Sequence, residues 1–211
     1  MHIIDGALDM AVVSAGALCA LGGLGYGLKR LPLDLIPTAG VISAALFVAS
    51  LVHVPVGLTS VHLVLNGLAG LVLGWAVFPV VFVALLLQAI FFGYGGITVL
   101  GVNTVSTALP AVLVWWVLHG TVCKATPRTA GVLGGIGGAL AVFMTALVMA
   151  MSLMLSGDEF VVAAQLTLLS HLPVMLVEGL LTGAAVYLVA RVRPELFNVL
   201  AMAGVPARVS F

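Results

Sequence analysis

Residues 124–143 read KATPRTAGVLGGIGGALAVF. Two cations, Lys124 and Arg128, stand ahead of an uncharged run, Ala130–Leu155. A helix needs about 20 apolar residues to cross the hydrocarbon core of a bilayer, and this run meets that length. Gly131 and Gly135, and Gly134 and Gly138, recur four residues apart. In lipid such spacing lets helix backbones approach closely, within the chain or against another subunit. The stretch therefore reads as a basic loop followed by a membrane span.

The rest of the chain agrees. Of its 211 residues 63% are hydrophobic and 7% charged, and the mean hydropathy is +1.34. A soluble domain carries about 25% charged residues, so this chain cannot clothe a water-facing surface and must be solvated by lipid. The formal net charge is zero, which argues against a nucleic-acid partner. Cys19 and Cys123 sit in or beside apolar runs without metal spacing and read as small buried hydrophobes. No basic region precedes the first apolar run, so no cleavable signal peptide is expected and the mature chain is expected to begin at Met1.

Seven apolar segments follow from the pattern: Leu8–Gly27, Pro32–Val52, Ser60–Trp75, Pro79–Phe92, Ser106–Val122, Ala130–Leu155 and Val161–Ala190. The third and fourth are short. The seventh is long and carries Pro173, where a kink is expected. With the N-terminus outside, Lys29, Arg30, Lys124, Arg128, Arg191 and Arg193 all fall in inner loops or the inner tail, which also holds Arg208. Asp5, Asp9, Asp158 and Glu159 fall outside. This obeys the positive-inside rule, and a count of six or eight spans would break it. The expected fold is one all-α domain, residues 1–211: a polytopic bundle of about seven transmembrane helices, N-terminus outside and C-terminus inside, in the cytoplasmic (inner) membrane. Segment one adds a stripe of small residues, Ala11, Ala15, Cys19, Gly23 and Gly27, suited to internal packing or to docking another membrane subunit.

The chain lacks GxxxxGK[ST], HExxH and GxSxG, so neither nucleotide binding nor familiar hydrolytic chemistry is indicated, and it is not expected to be an enzyme. Ionisable residues within apolar segments are candidates instead. His53, His119 and His171 each have an ordinary reading as hydrogen-bonded packing residues. His2 offers more. A free amine at residue 1, the amide nitrogen of residue 2 and imidazole Nδ1 can wrap one ion in consecutive five- and six-membered rings. A further imidazole completes a square, the geometry typical of Ni(II) or Cu(II). His62 lies on the same expected side. A chance histidine at position two is the competing account. Thr59, Ser60, Asn66, Gln88 and Asn103 are polar groups near this pocket, suited to orienting an imidazole or to bonding helix to helix. Gly95 and Gly96 permit a tight loop beside it. Competition with protons for nitrogen predicts that ion binding weakens at low pH.

Four stretches carry a family resemblance: "MHIIDG" at the start, "GLTSVHLVLNGLAG", "LLLQAIFFGYGGITVLGVNTVSTALPA" and "HLPVMLVEGLLTGAAVYLVARVRPEL". Together they resemble the CbiM/NikM family, the substrate-binding membrane components of energy-coupling-factor importers for nickel or cobalt. The resemblance implies seven spans. It implies a Ni2+ or Co2+ ion, as transported substrate, held by the Met1 amine, the His2 amide and imidazole, and His62. It also implies two kinds of partner: a membrane coupling subunit and cytoplasmic ATPase subunits. Departures from the family pattern are Leu63, Val64 and Leu65 in place of Pro-Thr-Gly, Tyr94 in place of a histidine, and Ile4 in place of methionine. The competing class is a proton-coupled secondary transporter using Glu178 and His171, seven residues apart on a similar helix face.

Overall fold

The computed structural model describes residues 2–51, 53–56 and 59–197, with the side chains of 53–56, 59 and 60 left outside. Met1 therefore lies outside the described residues. Seven α-helices are present among them: α1 Met10–Lys29, α2 Ile36–Ala49, α3 Asn66–Leu73, α4 Val77–Phe92, α5 Leu100–Val122, α6 Pro127–Met154 and α7 Val161–Val192. Local chemistry sets several of their ends. Asp9 caps α1 by accepting from the Ala11 N–H, and Thr126 caps α6, whose first residue is Pro127. Both arrangements satisfy or dispense with amide hydrogens that a helix start leaves unpaired.

Side-chain contacts fix the direction of each helix. Ser43 Oγ donates to the Val80 carbonyl, and Phe47 meets Phe91 and Phe92, so α2 and α4 run the same way. Asn66 bonds to Thr107, and a Cβ on Gly70 would strike Ala111, so α3 runs with α5. Trp75, just ahead of α4, closes on Gly27, and Phe78, inside α4, closes on Gly23, so α4 opposes α1. The chain turns between α3 and α4 at Gly74, with φ 51°. Consecutive helices thus alternate in direction. One end of the bundle carries Asp5, Asp9, Asp158 and Glu159; the other carries Lys29, Arg30, Lys124, Arg128, Arg191 and Arg193.

Five stretches are long and apolar enough to cross a membrane: Met10–Lys29, Asn66–Phe92, Leu100–Val122, Pro127–Met154 and Asp158–Val192. Leu33–Ala49 is shorter. The bundle is predominantly helical, as expected, with one addition. The expected third segment does not begin as a helix. Its first residues form strand β3, Thr59–His62, in a small sheet with β1, His2–Ile3, and β2, His53–Val56, in the order β1-β3-β2. Both pairings are antiparallel, with His2 opposite Ser60 and His53 opposite His62. The sheet replaces the upper half of a helix and leaves α3 only eight residues long. Further differences are the start of α5, six residues before the expected Ser106, and α7, which runs helical through Pro173.

Glycines let the helices meet. A Cβ on Gly134 or Gly138 of α6 would lie within 3 Å of Val186 or Thr182 on α7. The spaced glycines of α6 therefore pack inside this chain. The stripe on α1 divides. Gly23 and Gly27 pack on Phe78 and on Trp75 with Pro79, whereas Ala11, Ala15 and Cys19 remain exposed.

Candidate metal-binding site

The N-terminal strand is held from three sides. Asn103 of α5 clasps Ile3 with both ends of its amide: Oδ1 accepts from the Ile3 N–H at 2.9 Å, and Nδ2 donates to the Ile3 carbonyl at 3.0 Å. The Asp5 N–H donates to the Gly95 carbonyl at 2.9 Å. The Asp5 carboxylate accepts from Thr98 Oγ1 and the Val99 N–H, at the mouth of α5. Sheet pairing with β3 completes the hold. Ile3 and His2 are buried, so the segment penetrates the bundle instead of fraying, as chain ends commonly do.

That hold delivers His2 to His62. Nδ1 of His2 lies 3.2 Å from Nε2 of His62, and the ring centroids are 4.6 Å apart. Both rings are buried. His62 Nδ1 is 2.7 Å from the Leu63 carbonyl oxygen. A carbonyl only accepts, so Nδ1 carries the hydrogen and the neutral ring presents its lone pair at Nε2. Nδ1 of His2 and Nε2 of His62 therefore converge on one point. They can share a proton there, or bind a transition-metal ion, for which neutral imidazole is a common ligand. Among the described residues, no three His, Cys, Asp or Glu side chains gather into a metal-holding group.

The loop opposite is shaped to fit. Gly95 has φ +77°, and a Cβ there would stand 3.0 Å from Asn103 Nδ2 and 3.2 Å from the His2 Cβ. Gly96, at φ +128°, lies against the Asp5 carboxylate. Tyr94 faces His2 with ring centroids 6.4 Å apart. Gln88 is buried and shares a cavity of about 10 Å³ with His62 and Thr107. Its Oε1 has no partner among the described residues.

The sequence-derived candidates sort as follows. His2, His62 and Asn103 come together directly, and Gln88 borders the same space. Asn66 instead ties α3 to its neighbours, donating to the Thr107 carbonyl and Thr145 Oγ1. Ser60 pairs through its backbone with His2, but its side chain lies outside the described residues, as does Met1. His119 binds the Leu71 carbonyl as a packing residue. His171 is buried with Nδ1 donating to the Thr167 carbonyl. One contributor, Asp5, escaped the sequence reading; Glu178, singled out there, takes a buried hydrogen bond to the backbone. Asp5 was read only as an outer charge, yet it locks β1 onto the start of α5. Glu178 is fully buried, and its Oε2 accepts from the Val64 N–H at 3.0 Å, two residues beyond His62.

A family model described as CbiM, the cobalt uptake substrate-specific transmembrane region, matches residues 2–196. The chain belongs to the CbiM family. A protein named a putative metal transport protein, from Haemophilus influenzae, is 40% identical over 200 residues, covering 94% of this chain and 97% of that one. A cobalt transport protein CbiM of Sorangium cellulosum is 31% identical over 215 residues, covering 94% and 95%. A putative fused nickel transport protein NikMN of Archaeoglobus fulgidus is 31% identical over 210 residues; the match covers 94% of this chain and 68% of that longer protein. The crystal structure of a transition metal transporter superposes with a TM-score of 0.74 at 24% identity, covering 91% of this chain and 93% of that one. This likeness shows a shared fold. The chain is thus a member of a cobalt-uptake transmembrane family, with several apolar helices.

Proposed function

We propose that this CbiM-family chain is the substrate-specificity subunit of an energy-coupling-factor ABC importer, capturing Co2+ or Ni2+ from the extracytoplasmic side. The ligands in this reading are the Met1 amine, the His2 amide nitrogen and Nδ1, and His62 Nε2. One observation carries it: two buried imidazole nitrogens from residues 2 and 62 stand 3.2 Å apart. That distance is compatible with the chelate. In an amine–amide–imidazole tridentate the amide nitrogen is central, so a fourth ligand opposite it must be adjacent to Nδ1. Neighbouring corners of a square with nitrogen bonds of about 2.0–2.1 Å are roughly 2.9 Å apart. The observed spacing needs only a small adjustment.

The chain is read as crossing the cytoplasmic membrane seven times, with its acidic end outside. Alternating helix directions and the gathering of Lys and Arg at the opposite end support this. The α3 pass descends only from the depth of the site, because the sheet occupies the space above it. The chain shows no nucleotide-binding motif, so the work of transport falls to partners: a membrane coupling subunit and cytoplasmic ATPase subunits. A relative named a putative fused cobalt transport protein CbiMQ, from Methanocorpusculum labreanum, is a longer chain, of which the match covers 36%. The exposed half of the α1 stripe, Ala11, Ala15 and Cys19, is a docking face for the coupling subunit in this reading.

The test is elemental analysis of purified protein with a native amino terminus, which should carry about one Ni or Co per chain. One residue added ahead of Met1 converts the amine into an amide and should abolish binding while the fold survives. Undiminished binding by the extended protein would refute the chelate.

A further inference from the structure

The peptide group joining Leu63 and Val64 stands between two buried side chains. Its carbonyl oxygen accepts from His62 Nδ1 at 2.7 Å. Its N–H donates to Glu178 Oε2 at 3.0 Å. Glu178 belongs to α7, 114 residues away in sequence from Val64. The chain thus runs from carboxylate to peptide, from peptide to imidazole, and from imidazole Nε2 to Nδ1 of His2. The geometry points to Glu178 as a positioning residue that acts through the Leu63–Val64 peptide to orient and enrich His62 Nε2 as a ligand for a divalent transition-metal ion. This rests on the reading of His2 and His62 as ion ligands.

Three physical arguments support the assignment. First, a metal-binding histidine ordinarily donates its other N–H to a carboxylate, carbonyl or water, which fixes the tautomer and raises the ring's basicity. Here the carbonyl is the direct acceptor and the carboxylate lies one peptide behind it. Secondly, hydrogen bonds in series polarise one another in a low-dielectric interior. A carboxylate drawing on the N–H makes the same peptide's carbonyl a better acceptor, and so makes Nε2 a better donor of its lone pair. Thirdly, the corner needs holding. Leu65 is the only non-glycine residue with positive φ among those described, at φ 54°. Such a backbone is strained and persists only where its surroundings over-determine it. Glu178 supplies that restraint from a rigid helix. A carboxyl buried in an apolar bundle needs a hydrogen-bond partner, and the Val64 N–H supplies one.

The experiment measures Ni2+ affinity by titration calorimetry on the full chain with its native amino terminus, at one fixed pH, beside the 15N and 1H resonances of the His62 ring in metal-free protein. Glu178→Leu should weaken Ni2+ by about 10- to 100-fold, the usual effect of losing an outer partner. It should also shift the His62 ring towards a tautomer mixture. Glu178→Gln keeps an acceptor for the Val64 N–H and should stay within about 10-fold of wild type, with a measurable upfield move of the Nδ1–H resonance. Leu65→Gly, which adopts positive φ without strain, should restore part of the affinity lost in Glu178→Leu. Folded Glu178→Leu protein with wild-type affinity and an unchanged ring resonance would overturn the proposal. If Glu178→Leu does not fold, the Gln variant decides: an unmoved Nδ1–H resonance overturns it. Wild-type protein that binds no Ni2+ would sink the underlying ligand assignment instead, a separate outcome.

Discussion

Asn103 shows how much one side chain can fix. Its amide pairs with both backbone groups of Ile3, so β1 is held by α5 as firmly as by its neighbouring strand. Leucine is nearly the same size but offers neither bond. Asn103→Leu would leave a buried N–H and carbonyl unpaired, at a cost of about 1–3 kcal/mol each. We expect Ni2+ affinity to fall by about 10-fold or more, because His2 is the next residue along. Calorimetric titration checks this, and circular dichroism should show the helices intact. At this scale the sequence was legible where chemistry is concentrated in a residue type. His2 could be named because position two offers a chelate, His62 because it is an imidazole on the same expected side and the family resemblance implies it as a ligand, and Asn103 as a polar group beside that pocket. Asp5 and Glu178 were not legible in these roles. Each acts on backbone groups distant in sequence, and a backbone N–H carries no signature of its partner.

At the scale of elements, apolar length carried most of the information. The runs that became α1, α6 and α7 were read to within a few residues. The sheet was not, because β1 is two residues long and shows no period, β2 falls in the loop expected between the second and third segments, and β3 sits where the third was expected to begin. The start of α5 was missed for a related reason. The stretch GITVLGVN is rich in glycine and β-branched residues and reads as a loop. Packing overrides that preference: Gly101 meets the α1 backbone at Ala17, and Val102 fills the space beside Gly16. Close approach of this kind makes glycines unequal, and a paired substitution measures it. A Cβ on Gly70 would come within 2.2 Å of the Ala111 carbonyl oxygen, whereas one on Gly22 meets nothing within 4 Å. Gly70→Ala must push α3 from α5, at about 1–3 kcal/mol. Gly22→Ala should be neutral or stabilising by up to about 1 kcal/mol, from helix propensity alone. Thermal unfolding in detergent should therefore show Gly70→Ala melting several degrees below wild type and Gly22→Ala at or above it.

For the molecule as a whole, the decisive quantity is charge at the two ends. The sequence placed six cations in three alternate loops or tails, and the structure gathers them at one end of the bundle, opposite Asp5, Asp9, Asp158, Glu159 and the His2–His62 pair. The proposed orientation rests on the retention of Lys and Arg on the cytoplasmic side. The ion would enter from the acidic end, where Asp5, Asp9, Asp158 and Glu159 raise the local concentration of cations. The ends of α6 provide a direct check. This helix runs 28 residues, Pro127–Met154, about 42 Å at 1.5 Å per residue, more than the hydrocarbon core requires. Lys124 and Glu159 are exposed beyond its two ends. In a background with Cys19 and Cys123 replaced by alanine, Glu159→Cys should react with a membrane-impermeant maleimide added to intact cells. Lys124→Cys should react only after the membrane is permeabilised. The reverse pattern would put the imidazole pair on the cytoplasmic side, where it would serve export. Labelling of both positions in intact cells would show that α6 does not cross the membrane at all.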